Sequence, residues 1–380
     1  MPYITTHILR KARQLTLEEM IYGSFESLLN EPDRVAGGGT ITRHVSQIPE
    51  RLRAQASPSL LTAVLKDFAD RHAALYNRPR QELYHTFHIP KKTGGLRQID
   101  APNEELKSAL NELKTIFETK FFALHHTSAF AYVKDRSTVD VLKRHQATGA
   151  RWFLKLDFSG FFPSTTENFL FDQITQIFPF TEVVRDPEGP VALRKCLNLC
   201  TLNGGLPQGT PISPMLTNLM MIPLDHRLAN GLHEVHMTYT RYADDILISC
   251  PHDFNYKKIE ARVVATLKAF NAPFSINGKK THYGSSSGSN WCLGLMLNGR
   301  NQITIGWKNV DRFKAMCHSF ICDVQKGTHW ELHDVQVFSG LISYYKMVEK
   351  DYIEHIIRRY NEKFNVDLME MVRKELSGNV

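Results

Sequence analysis

The stretch Thr240–Cys250 reads TRYADDILISC, with two adjacent carboxylates, Asp244 and Asp245, inside an otherwise apolar run. Burying an unpaired carboxylate is costly, and two neighbours repel each other. A chain keeps such a pair in an apolar setting when cations neutralise it. Magnesium suits the task, because it takes oxygen ligands from one or two carboxylates, substrate phosphates and water. YADDILIS reads as two short strands joined by a tight turn that exposes the acids. A third carboxylate, Asp157, ends another apolar strand, Phe153–Leu156. Three acids at strand ends could hold two metal ions for in-line phosphoryl displacement. Taken alone, Asp-Asp between apolar runs is also an ordinary β-turn, so its companions decide.

The elements that must position these acids follow from pattern. The first 80 residues read as helical, with apolar residues at helical spacing over Leu60–Tyr76 and a Gly-rich loop at Gly37–Thr40. His85–Pro102 reads as strand, turn, strand, with Lys91, Lys92 and Arg97 flanking the Gly94-Gly95 turn. A helix over Asn103–Phe121 takes Asn103 as its N-cap. Ser164-Thr165-Thr166-Glu167 fits a capping box that starts a helix after Asp157. Ser213-Pro214 places a cap before a proline at the first helical position. A helix is expected near Tyr256–Phe270, an Asn-Gly turn within Phe274–Gly284, and a second hairpin around Asn298-Gly299. The last ~75 residues are amphipathic helix. Strands and helices mix without βαβα regularity, so the fold class is α+β.

Bulk composition narrows the class. The 380 residues are 42% hydrophobic and 22% charged, a globular balance that argues against extensive disorder. The net charge of +7 favours polyanionic partners. Its distribution is uneven: Thr86–Lys155 carries 12 Lys or Arg against 7 Asp or Glu, whereas Asn301–Val380 carries 11 against 11. The six cysteines form no CxxC pair, which speaks against structural zinc. No signal peptide and no run of ~18 apolar residues occur, so a membrane is not expected and a reduced cytoplasmic setting is. NGKKT is not a phosphate-binding P-loop, because Pro273 stands at the first glycine and Lys280 where Ser or Thr is required.

In order along the chain, these segments resemble the reverse transcriptase family, in its bacterial, retron-like, group II intron-like and standalone defence-associated branches. LKLDFSGFFPS, GLPQGTPISPMLTN and RYADDILIS resemble the first three palm motifs. INGKKT resembles the fourth, and LGLML the fifth, at the primer-gripping hairpin. HIPKKTGGLRQIDAP and SAFAYVKDRST resemble finger motifs. Each is modest singly; their order and spacing from about Thr86 to Ile305 carry the resemblance.

The resemblance implies a right-hand polymerase fold. Expected divisions are a helical N-terminal extension at 1–80, fingers at 81–150, a palm at 151–305 and a helical thumb at 306–380. It implies RNA-directed DNA synthesis with two Mg2+ ions, for which Mn2+ could substitute. Asp157 and Asp244 would ligate the metals with Asp245 adjacent and supporting, and the Phe158 carbonyl would complete the metal set. Lys280 would protonate the leaving pyrophosphate, with Lys279 the competing choice. Arg97 with Lys91 or Lys92 would contact the triphosphate, and Gln208 would lie near the incoming nucleotide. Phe162 would act as a steric gate against ribose, though its ring could equally be core. Tyr242, Ala243, Leu293 and Gly294 would contact the primer. Partners implied are an RNA template, a DNA or RNA primer and dNTPs, and by analogy a dedicated noncoding RNA and a role in phage defence.

Two departures leave the subclass open. Cys292-Leu293-Gly294 stands where retron enzymes often carry Val-Thr-Gly, and the retron Asn-Ala-x-x-His element is not evident after Asn271-Ala272. Neither an RNase H domain nor a zinc-bearing nuclease tail is expected, only a polymerase core. Two other functions remain: template-independent nucleotide addition on the same palm, and an inactive palm kept as an RNA-binding scaffold.

Overall fold

A computed structural model describes residues 57–91, 94–122, 124–287 and 291–378. The expectations for the first 56 residues and for Lys92 therefore lie outside the described residues. The chain divides into two compact units. One comprises residues up to Tyr132, Phe158–Leu228 and Val263–Ser275; the other comprises Val133–Asp157, Ala229–Arg262 and Ile276–Val380.

The first unit is mainly helical. The helix Pro58–Arg71 starts with proline, whose missing N–H is no loss in a first turn. It buries Leu61, Leu65 and Phe68, and Cys196 of the helix Gly189–Leu199 donates to the Leu65 carbonyl at 3.5 Å. The single helix expected over Leu60–Tyr76 breaks at His72 and resumes as Ala73–Tyr76. The His72 ring lies 2.9 Å from the Glu112 carboxylate, a tertiary contact that local periodicity does not encode. Strands β1 (Tyr84–Pro90) and β2 (Leu96–Pro102) form an antiparallel hairpin. The helix Glu104–Thr119 has the expected cap: Asn103 Oδ1 accepts from Leu106 N at 2.9 Å. Phe117, Phe121 and Phe180 close this core with ring centroids 4.6–5.4 Å apart.

Two cap assignments shift. Thr166, not Ser164, caps the helix Glu167–Ile174, because a short helical turn, Phe161–Ser164, intervenes. Ser213 is the first residue of the helix Ser213–Met220 rather than its cap; its hydroxyl lies 2.6 Å from that of Thr210, so it does not turn onto its own helix.

The second unit carries the larger sheet. Its strands are β3 (Trp152–Ser159), β4 (Thr238–Tyr242), β5 (Asp245–Cys250), β6 (Ser275–Ile276) and β7 (His282–Ser285), in the order β4-β5-β3-β6 with β7 also on β3. Strands β8 (Trp291–Cys292), β9 (Leu295–Leu297) and β10 (Ile303–Thr304) form a separate antiparallel ribbon. The helix Thr138–Ala147 opens on a complete capping box, Ser137 with Asp140. Its His145 is fully buried, with Nδ1 2.6 Å from Ser249 Oγ and Nε2 2.8 Å from Thr240 Oγ1, and so ties the helix to β4 and β5.

Three helices end the chain: Trp307–Gln325, Leu332–Phe364 and Leu368–Ser377. Phe313, Phe320, Phe338, Ile342 and Tyr345 are buried among them. The long helix is broken at Glu349, whose backbone leaves helical values at φ −134°, ψ 62°. Neither Pro nor Gly sits there. The Glu349 carboxylate instead accepts from Ile305 N at 2.7 Å, and Lys346 reaches across the kink to Glu354 at 3.0 Å.

Candidate active site

Pairing of β3 with β5 sets Asp157 directly opposite Asp245, so both carboxylates leave the sheet on one face. Tyr242 pairs with Asp245, which leaves Ala243 and Asp244 as a two-residue hairpin turn. Ala243 takes φ 57°, a left-handed conformation that costs a residue with a Cβ roughly 1–2 kcal/mol. The fully buried Arg241 holds the turn by donating Nη1–H to the Ala243 carbonyl at 3.1 Å.

Asp157 is only 5% exposed, and Asp244 and Asp245 are half-buried. Burial pushes the Asp244 carboxyl above the usual carboxylate range, and the charges of Asp245 and Asp157 push the same way. Asp245 is also raised, again by burial first, with the Lys155 ammonium opposing. Lys280 Nζ donates to Asp157 Oδ1 at 2.8 Å, a bond that raises the lysine above its ordinary value. Asn277 N donates to the Asp157 carbonyl at 2.8 Å, and Lys280 N to the Asn277 carbonyl at 2.9 Å, so this turn hangs from β3 beside the acid. Lys155 Nζ lies 3.4 Å from Asp245 Oδ1.

The three acids offer hard oxygens with no imidazole or thiolate among them, a donor set suited to Mg2+ or Mn2+. Among the described residues no group of three His, Cys, Asp or Glu is drawn into a ready-made metal site. Lysine ammonium groups stand against Asp157 and Asp245 instead, supplying the positive charge that clustered acids require. The donor set fits divalent ions once Lys280 releases Asp157.

The β8–β9 turn belongs to the same unit. Cys292 pairs with Leu295, leaving Leu293 at φ 55° and Gly294 at φ 82°, the two positive values a tight hairpin turn demands. Leu293 lines a cavity of about 10 Å³ together with Tyr242, Asp245 and Lys155. The second unit thus brings together Asp157, Asp244, Asp245, Lys280, Tyr242, Ala243, Leu293 and Gly294. Lys155 and Asn277 were not singled out from sequence. Lys155 had a readable signal, since it stands two residues before Asp157 and therefore on the same strand face.

The first unit brings together a different subset. The Gln208 carbonyl accepts from Asp100 N of β2 at 2.7 Å. Gly209 follows at φ 127°, where a Cβ would stand 2.9 Å from the Asp100 carbonyl oxygen. Gly205 presses on the Phe161–Ser164 turn: a Cβ there would meet the Pro163 carbonyl oxygen at 2.0 Å. Leu206 N donates to the Phe162 carbonyl at 3.0 Å. The Gly-rich loop therefore seats Gln208 between the Phe162 turn and β2, which carries Arg97. Arg97 and Lys91 are exposed, and Lys91 closes the hairpin turn through bonds with Gly94 and Gly95. The Phe158 side chain is core, 2% exposed and against Phe161 and Phe274. Any ligand role for Phe158 falls to its carbonyl.

Comparison with known proteins shows the family. Residues 89–308 match the family described as reverse transcriptase (RNA-dependent DNA polymerase). The chain belongs to that family: it has the α+β reverse transcriptase fold and is an RNA-directed DNA polymerase, copying RNA with the divalent metal ions the family generally uses. Its curated relatives include the retron Mx65 reverse transcriptase of Myxococcus xanthus, 30% identical over 76% of this chain and 67% of that protein. The retron Ec83 reverse transcriptase of Escherichia coli is 26% identical over 79% of this chain and 94% of that one. Apo telomerase from Candida tropicalis aligns at a TM-score of 0.44 and 12% identity, over 77% of this chain and 61% of that one. Among the described residues no helix is long and apolar enough to cross a membrane.

Proposed function

We propose that Asp157 and Asp244, with the Phe158 carbonyl and Asp245 beside them, hold two Mg2+ ions for DNA synthesis from dNTPs on a DNA or RNA primer, Mn2+ serving as a substitute. The observation that carries this is the pairing of Asp157 with Asp245, two acids on one sheet face, next to the turn that holds the half-buried Asp244, whose carboxyl feels both charges. The metals, when bound, activate the primer hydroxyl and stabilise charge on the phosphates. The chain's own residues do the rest. Burial strengthens every charge interaction at the acids. Lys280 gives up Asp157 and delivers a proton to the leaving pyrophosphate. Arg97 and Lys91 pair with triphosphate oxygens, Gln208 borders the incoming nucleotide, and the Phe162 ring excludes a ribose 2′-OH. Tyr242, Ala243 and the Leu293-Gly294 turn steady the primer end. Residues 306–380 act as the thumb, 81–150 as fingers and 151–305 as palm.

Asp244→Asn is the direct test. Divalent-ion-dependent incorporation should vanish while circular dichroism shows an intact fold; full activity in that variant defeats the assignment. Product sequence separates templated synthesis from template-independent addition.

The similarity to retron reverse transcriptases supports a narrower reading, in which the template is a dedicated noncoding RNA and the system acts in phage defence. Sequencing the nucleic acid that copurifies with the protein tests the first part. One recurrent structured RNA joined to its DNA copy supports it, and a random RNA population opposes it.

A further inference from the structure

We propose that Lys155 is a positioning residue that keeps Asp245 as a lysine-paired carboxylate, so that the divalent ions fall to Asp157 and Asp244. The proposal rests on the two-metal reading above and divides its acids.

Three observations carry it. First, strand register makes Lys155 and Asp245 diagonal neighbours, since Lys155 pairs with Leu247 and Asp157 with Asp245. The ammonium stands 3.4 Å from the carboxylate, and both side chains are 28% exposed.

Second, the two lysines of the site are rooted differently. Lys155 lies within β3, between Leu247 of β5 and His282 of β7, so its backbone is held on both sides. Lys280 follows a turn, and its side chain is 57% exposed. When ions enter, Lys280 is the lysine free to swing away, whereas Lys155 stays.

Third, space excludes a metal on the Lys155 side of Asp245. The cavity there is about 10 Å³, walled by Val141, Tyr242, Leu247, Cys292 and Leu293. That is room for about one water at most, whereas Mg2+ keeps several of its own. The partner on this side of Asp245 is therefore the ammonium. By fixing Asp245, Lys155 also fixes the first residue of β5, and so the Asp244 turn before it.

The test is Mn2+ binding to the full chain without nucleotide, read by electron paramagnetic resonance, alongside primer extension. Lys155→Met should bind Mn2+ on the order of tenfold more tightly, because Asp245 becomes an uncompensated charge beside the ions, yet extend primers more slowly. Lys155→Gln should behave alike if the methionine variant does not fold. Lys155→Arg, which keeps the charge, should restore wild-type Mn2+ affinity. In an Asp245→Asn background, Lys155→Met should leave Mn2+ affinity unchanged. A purely structural role for Lys155 would not tighten metal binding. Wild-type Mn2+ binding with a folded Lys155→Met or Lys155→Gln variant that binds equally or more weakly overturns this proposal alone. A wild-type protein that binds no Mn2+ overturns the two-metal reading and the proposal with it.

Discussion

Lys280 Nζ donates a 2.8 Å hydrogen bond to Asp157 Oδ1, joining residues 123 apart in sequence. The acid is almost fully buried and the lysine largely exposed, so the site sets a solvent-facing cation against a buried anion. Lys279, its neighbour, is also exposed, but Lys280 is the residue that meets the acid. On the proposed mechanism the same ammonium later donates a proton. Lys280→Met should lower the single-turnover incorporation rate by on the order of 10²-fold, within the range for general acids. Nucleotide affinity should change little. A loss confined to affinity would assign Lys280 to binding instead.

The turn that presents Asp244 holds Ala243 at φ 57°. Glycine adopts that conformation without the Cβ penalty. Ala243→Gly should therefore raise unfolding free energy by about 0.5–1 kcal/mol in urea titrations. Incorporation should fall, because the Asp244 turn gains backbone freedom. A destabilised variant would show that the Ala243 methyl group makes a contact that outweighs its strain.

The parts of this site written locally were legible in the chain. Alternation of apolar residues about YADD gives β4, the turn and β5, and Asn103 announces its helix by residue type. What was not legible depended on distant partners. The periodic run is interrupted at His72, whose ring meets Glu112 from a distant helix. Ser213 loses its capping role to a contact with Thr210. The Asn277-Gly278 signal correctly marked a turn, yet both strands flanking it pair with β3 rather than with each other. That register hangs Lys280 beside Asp157, and no local pattern fixes it. Lys155 follows the same logic: its sequence neighbours mark it as a strand residue, and only the partner strand supplies Asp245.

His145 gives the fold an acid sensitivity. It is fully buried, and burial pushes its imidazole down to about 3 from 6.5, with the nearby Arg144 charge adding to the effect. The folded state therefore binds fewer protons than the unfolded state below pH 6.5. Its contribution is intact above pH 6.5 and is lost as pH falls from there toward 3, by up to about 1.4 kcal/mol per pH unit. His145→Gln should be less stable at pH 7.5, because it cannot reproduce both hydroxyl contacts. It should also show a flatter decline between pH 6.5 and 5 in urea titrations run at each pH. An unchanged slope would place the acid sensitivity in another group.

Phe162 separates two roles that sequence left joined. Phe161 is buried in the core with Phe158 and Phe274, whereas the Phe162 ring is part-exposed and meets Phe161 edge-on at 5.6 Å. The backbone at Phe162 is held independently of its ring, since its carbonyl accepts from Leu206 N and Thr165 N. Truncating the ring should therefore leave the turn in place. Phe161→Ala should cost about 3–5 kcal/mol, as for a buried aromatic. Phe162→Ala should cost less than half of that and act on selectivity. If the ring crowds a ribose 2′-OH, the ratio of ribonucleotide to deoxyribonucleotide incorporation should rise by on the order of tenfold or more. Competition between matched rNTP and dNTP on one primer-template measures that ratio directly. An unchanged ratio with an intact fold would make Phe162 a packing residue and remove the gate from this position.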